Sequence, residues 1–179
     1  MSDIEKFVST LSSFFDNIGI IIDDLNKRGY QQLSPQQIEI MKTYVLSKDR
    51  EYLINSFIEN TEQYWNDLKT KSEQFFLDNS ASIFGDYSNH ENVNSLKFIF
   101  SNDSTGQPLL DDATKDIIKQ YLHSLIRISI KHVFHSKNPT VDKQMTENGN
   151  FKTKITFKSS KYPTIKITDH ARNWDVKLW

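Results

Sequence analysis

Apolar residues in the first part of the chain fall at Ile4, Phe7, Val8, Leu11, Phe14, Phe15, Ile18, Ile21, Ile22 and Leu25. Steps of three and four predict an amphipathic helix of about six turns. Lys27, Arg28 and Gly29 supply cations for its last turn and a glycine to end it. Gly19, in the middle, permits close helix contact or a slight bend, at a cost of up to ~1 kcal/mol against alanine. A second helix starts cleanly: Ser34 can cap, Pro35 takes the first helical position and Gln37 stands where a capping-box partner belongs. Ile38, Met41, Val45 and Leu46 carry its stripe. Ser47 or Asp49 can cap the next segment, in which Leu53, Ile54, Phe57 and Ile58 continue at helical spacing. Thr61 is read as the start of a further helix, with Tyr64, Trp65, Leu68, Phe75 and Phe76 facing inward. The pattern leaves open whether residues 35–78 form one bent helix or three short ones.

Residues 79–95 have loop composition, 96–100 (LKFIF) suit either a helical turn or a strand, and 101–110 read as a loop. Asp111 then caps a helix over 112–136. Its apolar arc (Ile117, Ile118, Leu122, Leu125, Ile126, Ile130, Val133 and Phe134) is wide enough to require neighbours on more than one side. Leu33–Val45 echoes Leu110–Leu122 without gaps, which two capped amphipathic helices produce by obeying the same rules.

After residue 139 the period changes. Phe151, Thr153, Ile155 and Phe157 alternate with Lys152, Lys154, Thr156 and Lys158, a strand with one buried face. Residues 164–168 form a second short strand, and Trp174, Val176 and Leu178 alternate again. The expected fold is therefore α+β: one domain over 1–179, mainly helical in 1–136, with a small C-terminal antiparallel β meander in 137–179. Such a meander is too small to stand alone, so it is expected to pack on the helices.

Charge follows the same division. Residues 1–136 hold 13 Lys/Arg against 19 Asp/Glu, while 137–179 hold 9 against 4, although the whole chain has a net charge of only −1. The two parts thus face different surroundings, or one another. The absence of cysteine excludes disulfides, a thiolate nucleophile and Cys-ligated zinc, and fits a reducing compartment. The acidic N-terminal stretch lacks the features of a signal peptide. The most apolar run, residues 18–22, is far shorter than the ~20 residues of a membrane span.

Three of the five histidines, His123, His132 and His135, lie on the 112–136 helix. His132 and His135 share an edge, but His123 is too far along the axis to join them, and the nearby Arg127 and Lys131 oppose a cation. A zinc site needs three or four ligands, so these imidazoles are read as partners of the helix C-terminal dipole, with no metal and no cofactor expected. No nucleophile elbow or glycine-rich phosphate loop occurs. The pair Asp111–Asp112 is explained by capping, and Asp23–Asp24 is offset by Lys27 and Arg28 one turn on. No motif argues for catalysis.

The basic tail is the better functional candidate. Lys152, Lys154, Lys158, Lys161 and Lys166, interleaved with Tyr162, Trp174 and Trp179, have the composition of a partner or nucleic-acid surface. A plain solvated face, with lysines that discourage edge pairing, ranks ahead of protein docking, and docking ahead of nucleic acid.

Two stretches resemble segments of uncharacterised helical proteins of large nucleocytoplasmic DNA viruses. They are residues 64–79 (Tyr64, Trp65, Leu68, Lys71, Glu73, Phe75, Phe76) and residues 121–133 (Tyr121, His123, Ser124, Ile128, Ser129, Ile130, Lys131). The resemblance implies a viral setting, in the host cytoplasm or the virion, and no assigned activity. The reading is a non-catalytic interaction or structural component with a protein partner. Nucleic-acid binding through the tail is the alternative, and an enzyme of unrecognised class the distant one.

Overall fold

A computed structural model describes residues 1–65, 96–136, 140–145, 147–148, 151–157 and 165–169. The described part is mainly helical, with α1 (Asp3–Lys27), α2 (Pro35–Leu46), α3 (Arg50–Thr61) and α4 (Asp112–Ser136). Short 3₁₀ helices span Glu62–Tyr64 and Leu96–Phe100, so the ambiguous LKFIF segment is a helical turn. Three strands complete the described part, β1 (Thr140–Met145), β2 (Phe151–Phe157) and β3 (Ile165–Asp169), in the order β1-β2-β3 with antiparallel neighbours.

The helix boundaries have local causes. Ser2 caps α1: its hydroxyl accepts from Glu5 N at 3.2 Å, and its own amide donates to Glu5 Oε2 at 2.7 Å. At the other end Gly29 adopts φ +95°, a conformation that favours glycine, and Tyr30 N reaches back to Leu25 O at 2.9 Å. Ser34 and Gln37 form the same reciprocal box at the start of α2. Asp49, not Ser47, caps α3 through Tyr52 N, and Asp111 caps α4 through Thr114 N at 2.7 Å.

Helix α1 touches α2, α3 and α4, and α3 touches α4. Contacts fix the directions. Asp3 meets His135, Asn17 meets Tyr121 and Arg28 meets Leu109, so α1 and α4 run antiparallel. Asp16 meets Lys42 while Gly19 lies beside Ile38, so α1 and α2 are antiparallel too. The core between them takes Phe7, Phe14, Phe15, Ile18, Ile22 and Leu25 from α1, and Ile118, Leu122, Leu125, Ile126, Ile130 and Val133 from α4. Rings add geometry: Phe7 packs on Phe57 at 5.3 Å between centroids, and Phe14 on Tyr121 at 6.0 Å. Ser129, fully buried on α4, satisfies its hydroxyl by donating to Leu125 O at 2.8 Å.

Two sequence expectations, on Ile117 and on residues 140–145, need correction. Thr61 stands at a junction, as the last residue of α3 and the N-cap position of the 3₁₀ helix Glu62–Tyr64; its hydroxyl donates to Phe57 O at 2.7 Å and accepts the Trp65 indole N–H at 3.0 Å. That arrangement satisfies the polar edge of Trp65, which is buried. Ile117, placed on the α4 arc, is exposed, because contacts with α1 and α3 cover the arc on the side of Ile118 and Leu122. The strand β1 lies where no strand was expected. Its sequence, TVDKQM, has little alternation of its own, and its pairing with β2 from Thr140↔Thr156 to Met145↔Phe151 makes the strand. The inward placement of Leu68, Phe75 and Phe76, the loop at 79–95 and the alternating segment 174–178 lie outside the described residues.

Arg28 ties the chain together after α1. Its Nη1 donates to Leu109 O at 2.9 Å, and the guanidinium stands over the Tyr30 ring at 5.6 Å. Its charge also helps hold down the pKa values of Asp103 and Asp111, though hydrogen bonds dominate. For Asp103 the main cause is the Thr105 hydroxyl, then Gln107 N; for Asp111 it is the Thr114 hydroxyl, then Thr114 N. Glu5 is lowered chiefly by the amide of Ser2.

Two outcomes are expected. Ile22→Ala or Leu25→Ala, each at a side chain with 0% exposure, should cost about 2–5 kcal/mol in denaturant unfolding. Cost below ~1 kcal/mol would mean that α1 is not packed as described. The second concerns acid. A carboxylate whose pKa is lowered by folding contributes stability that is present above the unfolded pKa of about 4 and is lost as pH falls through the folded value. Asp103→Asn with Asp111→Asn keeps an oxygen acceptor at both positions but removes the titration. The double variant should therefore lose less stability than the wild type between neutral pH and the acid transition, and parallel acid limbs would contradict the assignment.

Candidate functional site

Pairing register decides which tail lysines share a surface. Lys152 faces Gln144, Lys154 lies between Asp142 and Thr168, and Lys166 faces Thr156. Residues in cross-strand register occupy one face of a sheet. Lys152, Lys154 and Lys166 thus share a face with Thr140, Asp142 and Gln144, and those three β1 residues are exposed. The opposite face takes Val141, Met145, Phe151, Ile155, Phe157, Ile165 and Ile167, together with Lys143, Thr153 and Asp169, which pair in one row across it. Asp142 opposite Lys154 places a carboxylate within the basic face. Lys158, Lys161 and Trp174 lie outside the described residues.

The histidines resolve differently. His135 Nδ1 lies 2.7 Å from Asp3 Oδ2, joining the last turn of α4 to the first turn of α1. An acidic side chain at a helix N-terminus and an imidazole at a C-terminus are each favourably placed in the helix field. Asp3 is largely covered while His135 is open to water. His123 and His132 are engaged in interactions of their own. Among the described residues no three His, Cys, Asp or Glu side chains come together in a way that could hold a metal ion.

A second surface lies between α1 and α2, where the sequence singled out nothing but Gly19. A groove of about 300 Å³ is lined by Phe15, Asp16, Gly19, Ile20, Asp23, Pro35, Ile38 and Glu39. It shares Glu39 with a second hollow of about 500 Å³ over Gln36, Glu39, Ile40, Thr43 and Tyr44. Ile20 and Ile40 are 67% and 62% exposed. Carboxylates but no cations line both hollows. Asp16 pairs with Lys42 at 2.5 Å and Asp23 with Lys27 at 2.6 Å, hydrogen bonds that raise the pKa of both lysines. The two aspartates are about half exposed, Lys42 is largely covered, and the charge of Glu39 also acts on Lys42. Nor did sequence pattern point to Glu62, a carboxylate with only 2% exposure directly after α3.

No protein family, curated protein or solved structure matches the chain. Among the described residues no helix is long and apolar enough to cross a membrane.

The His135–Asp3 contact leaves the imidazole open to water, and a contact of this kind at the surface is worth about 0–1 kcal/mol. His132→Ala with His135→Ala should therefore leave the helical circular dichroism intact. Zinc at modest excess should leave the melting temperature of the wild type unchanged. A zinc-dependent rise in melting temperature that the double variant lacks would show a metal site built around these imidazoles.

Proposed function

We propose that the chain is a non-catalytic protein-interaction or structural component that meets a protein partner through the basic face of its C-terminal meander. The observation that carries the reading is the shared register of Lys152, Lys154 and Lys166 with the exposed Thr140, Asp142 and Gln144. A mixed face of this kind, cationic with a carboxylate in its midst, suits a partner surface of patterned charge better than a uniform run of phosphates. In this reading the meander belongs to the same domain as the helices and packs on them through the mainly apolar face opposite the lysines, with Met145, 70% exposed, at its rim. The likeness of residues 64–79 and 121–133 to helical proteins of large DNA viruses supports a viral setting, in the host cytoplasm or the virion. Nucleic-acid binding through the same lysines is the competing reading.

One pair of measurements separates them. The full chain and its Lys152→Glu, Lys154→Glu, Lys166→Glu variant are compared for retention of co-purifying protein and for binding to labelled DNA and RNA. The wild type should bring down a defined protein that the variant loses, and should show no nucleic-acid binding at physiological salt. Binding to DNA or RNA with a steep salt dependence, slope about −0.9 per phosphate contact for duplex DNA, abolished in a variant that still folds, would replace the proposal with its competitor.

A further inference from the structure

Sulfur in this chain is confined to methionine. There is no cysteine, and the three methionines are Met1, Met41 and Met145. With no thiol to compete, an oxidant that meets the protein has only thioethers as sulfur targets. The fold sorts the three. Met41 lies on the buried stripe of α2 at 5% exposure, while Met145 is 70% exposed and Met1, outside every helix and strand, 82%. Oxidation requires the oxidant to touch sulfur, so exposure sets the order of reaction.

Met145 differs from Met1 in its place in the fold. It is the last residue of β1 and pairs with Phe151, the first residue of β2, next to the turn that joins the two strands. Opposed positions on antiparallel strands are neighbours on one face, and their side chains are the unit that stabilises a strand pair. Thr140, Asp142 and Gln144 of β1 are polar and exposed. Apolar pairing between β1 and β2 therefore rests on Val141 opposite Ile155 and on Met145 opposite Phe151. The second of these closes the ladder, where backbone pairing opens most readily. A thioether suits that position, since it is apolar, adaptable and well matched to an aromatic neighbour.

From this placement we infer that Met145 is a reversible oxidation site, at which a hydroperoxide loosens the turn end of the β1–β2 hairpin. The thioether sulfur attacks the terminal oxygen of the hydroperoxide. A sulfur–oxygen bond forms as the oxygen–oxygen bond breaks, sulfur gives up two electrons, and the remainder leaves as water or an alcohol. The sulfoxide is polar and chiral, so one apolar member of the closing pair is lost. Methionine sulfoxide reductases reverse the step, taking two electrons from a dithiol and releasing the oxygen as water. The next pair along the ladder is Gln144 opposite Lys152, so loosening reaches the lysine face within one step. The inference concerns the hairpin itself and does not depend on what the lysine face meets.

The test treats the full chain with hydrogen peroxide and follows oxygen uptake at each methionine by peptide mass spectrometry. Met145 should gain oxygen on the order of tenfold faster than Met41. Hydrogen–deuterium exchange then reads the backbone of β1 and β2, which should exchange several times faster in the oxidised chain. Treatment with the two methionine sulfoxide reductases, one for each sulfoxide epimer, and a dithiol should restore the original exchange. Met145→Leu keeps an apolar side chain without sulfur, so its strands should exchange alike before and after peroxide, although Met1 can still react. Met145→Gln places a polar side chain there without any oxidant and should reproduce the faster exchange. Equal oxidation rates at Met145 and Met41, or unchanged exchange once Met145 is oxidised, would overturn the inference. So would a peroxide response that persists in Met145→Leu, or one that the reductases leave in place.

Discussion

Burial of one stripe along α1 is the interaction on which the described fold depends. Six of its residues, from Phe7 to Leu25, enter the core, and α1 meets each of the other three α-helices described. A helix of 25 residues is roughly 37 Å long, so α1 runs the length of a small domain. Apolar burial has no direction of its own and would tolerate some sliding of α4 along this stripe. Polar contacts at the ends and the middle remove that freedom: Asp3 to His135, Asn17 to Tyr121, and Arg28 to Leu109 O. Each is individually modest, yet each fails together with the others if α4 shifts by a turn. The hydrophobic stripe supplies the stability, and these three contacts choose the register.

The helical part is legible in the sequence where caps and stripes agree. Ser34, Pro35 and Gln37 at α2, Asp111 at α4 and Gly29 after α1 are local devices, decided by neighbours within a few residues. Thr61 serves an end and a start at once, closing α3 and standing at the N-cap position of the 3₁₀ helix that follows. What settles its role is the Trp65 indole, buried and in need of an acceptor. Ile117 misleads because a wide arc does not say where its edge falls; α1 and α3 decide that. β1 escapes detection for a related reason, since a polar strand without alternation is defined by the partner it pairs with.

The candidate surfaces are legible only in part. Alternation places Lys152 and Lys154 on one face, but bringing Lys166 to them requires the β2–β3 register, which no local pattern contains. Ile20 and Ile40 fall off their helices' buried stripes in the sequence as well. That Ile20 and Gly19 line a groove with Ile38 and Glu39, next to the hollow that holds Ile40, depends on the antiparallel contact of α1 with α2. Such surfaces are built from residues that fold stability does not require, and stability is what sequence periodicity reports.

Opposite charges on the two surfaces constrain what can occupy them. If the acidic groove and the basic sheet face were complements of one another, the chain would tend to associate with itself, and a patterned basic face would meet a groove with apolar flanks. The sheet face offers little for that purpose: the residues in register with its lysines are threonine, aspartate and glutamine. An apolar anchor is what Ile20 and Ile40 call for, and a charged face without one cannot cover them. The sheet face and the exposed Ile20 and Ile40 are therefore poor complements of one another.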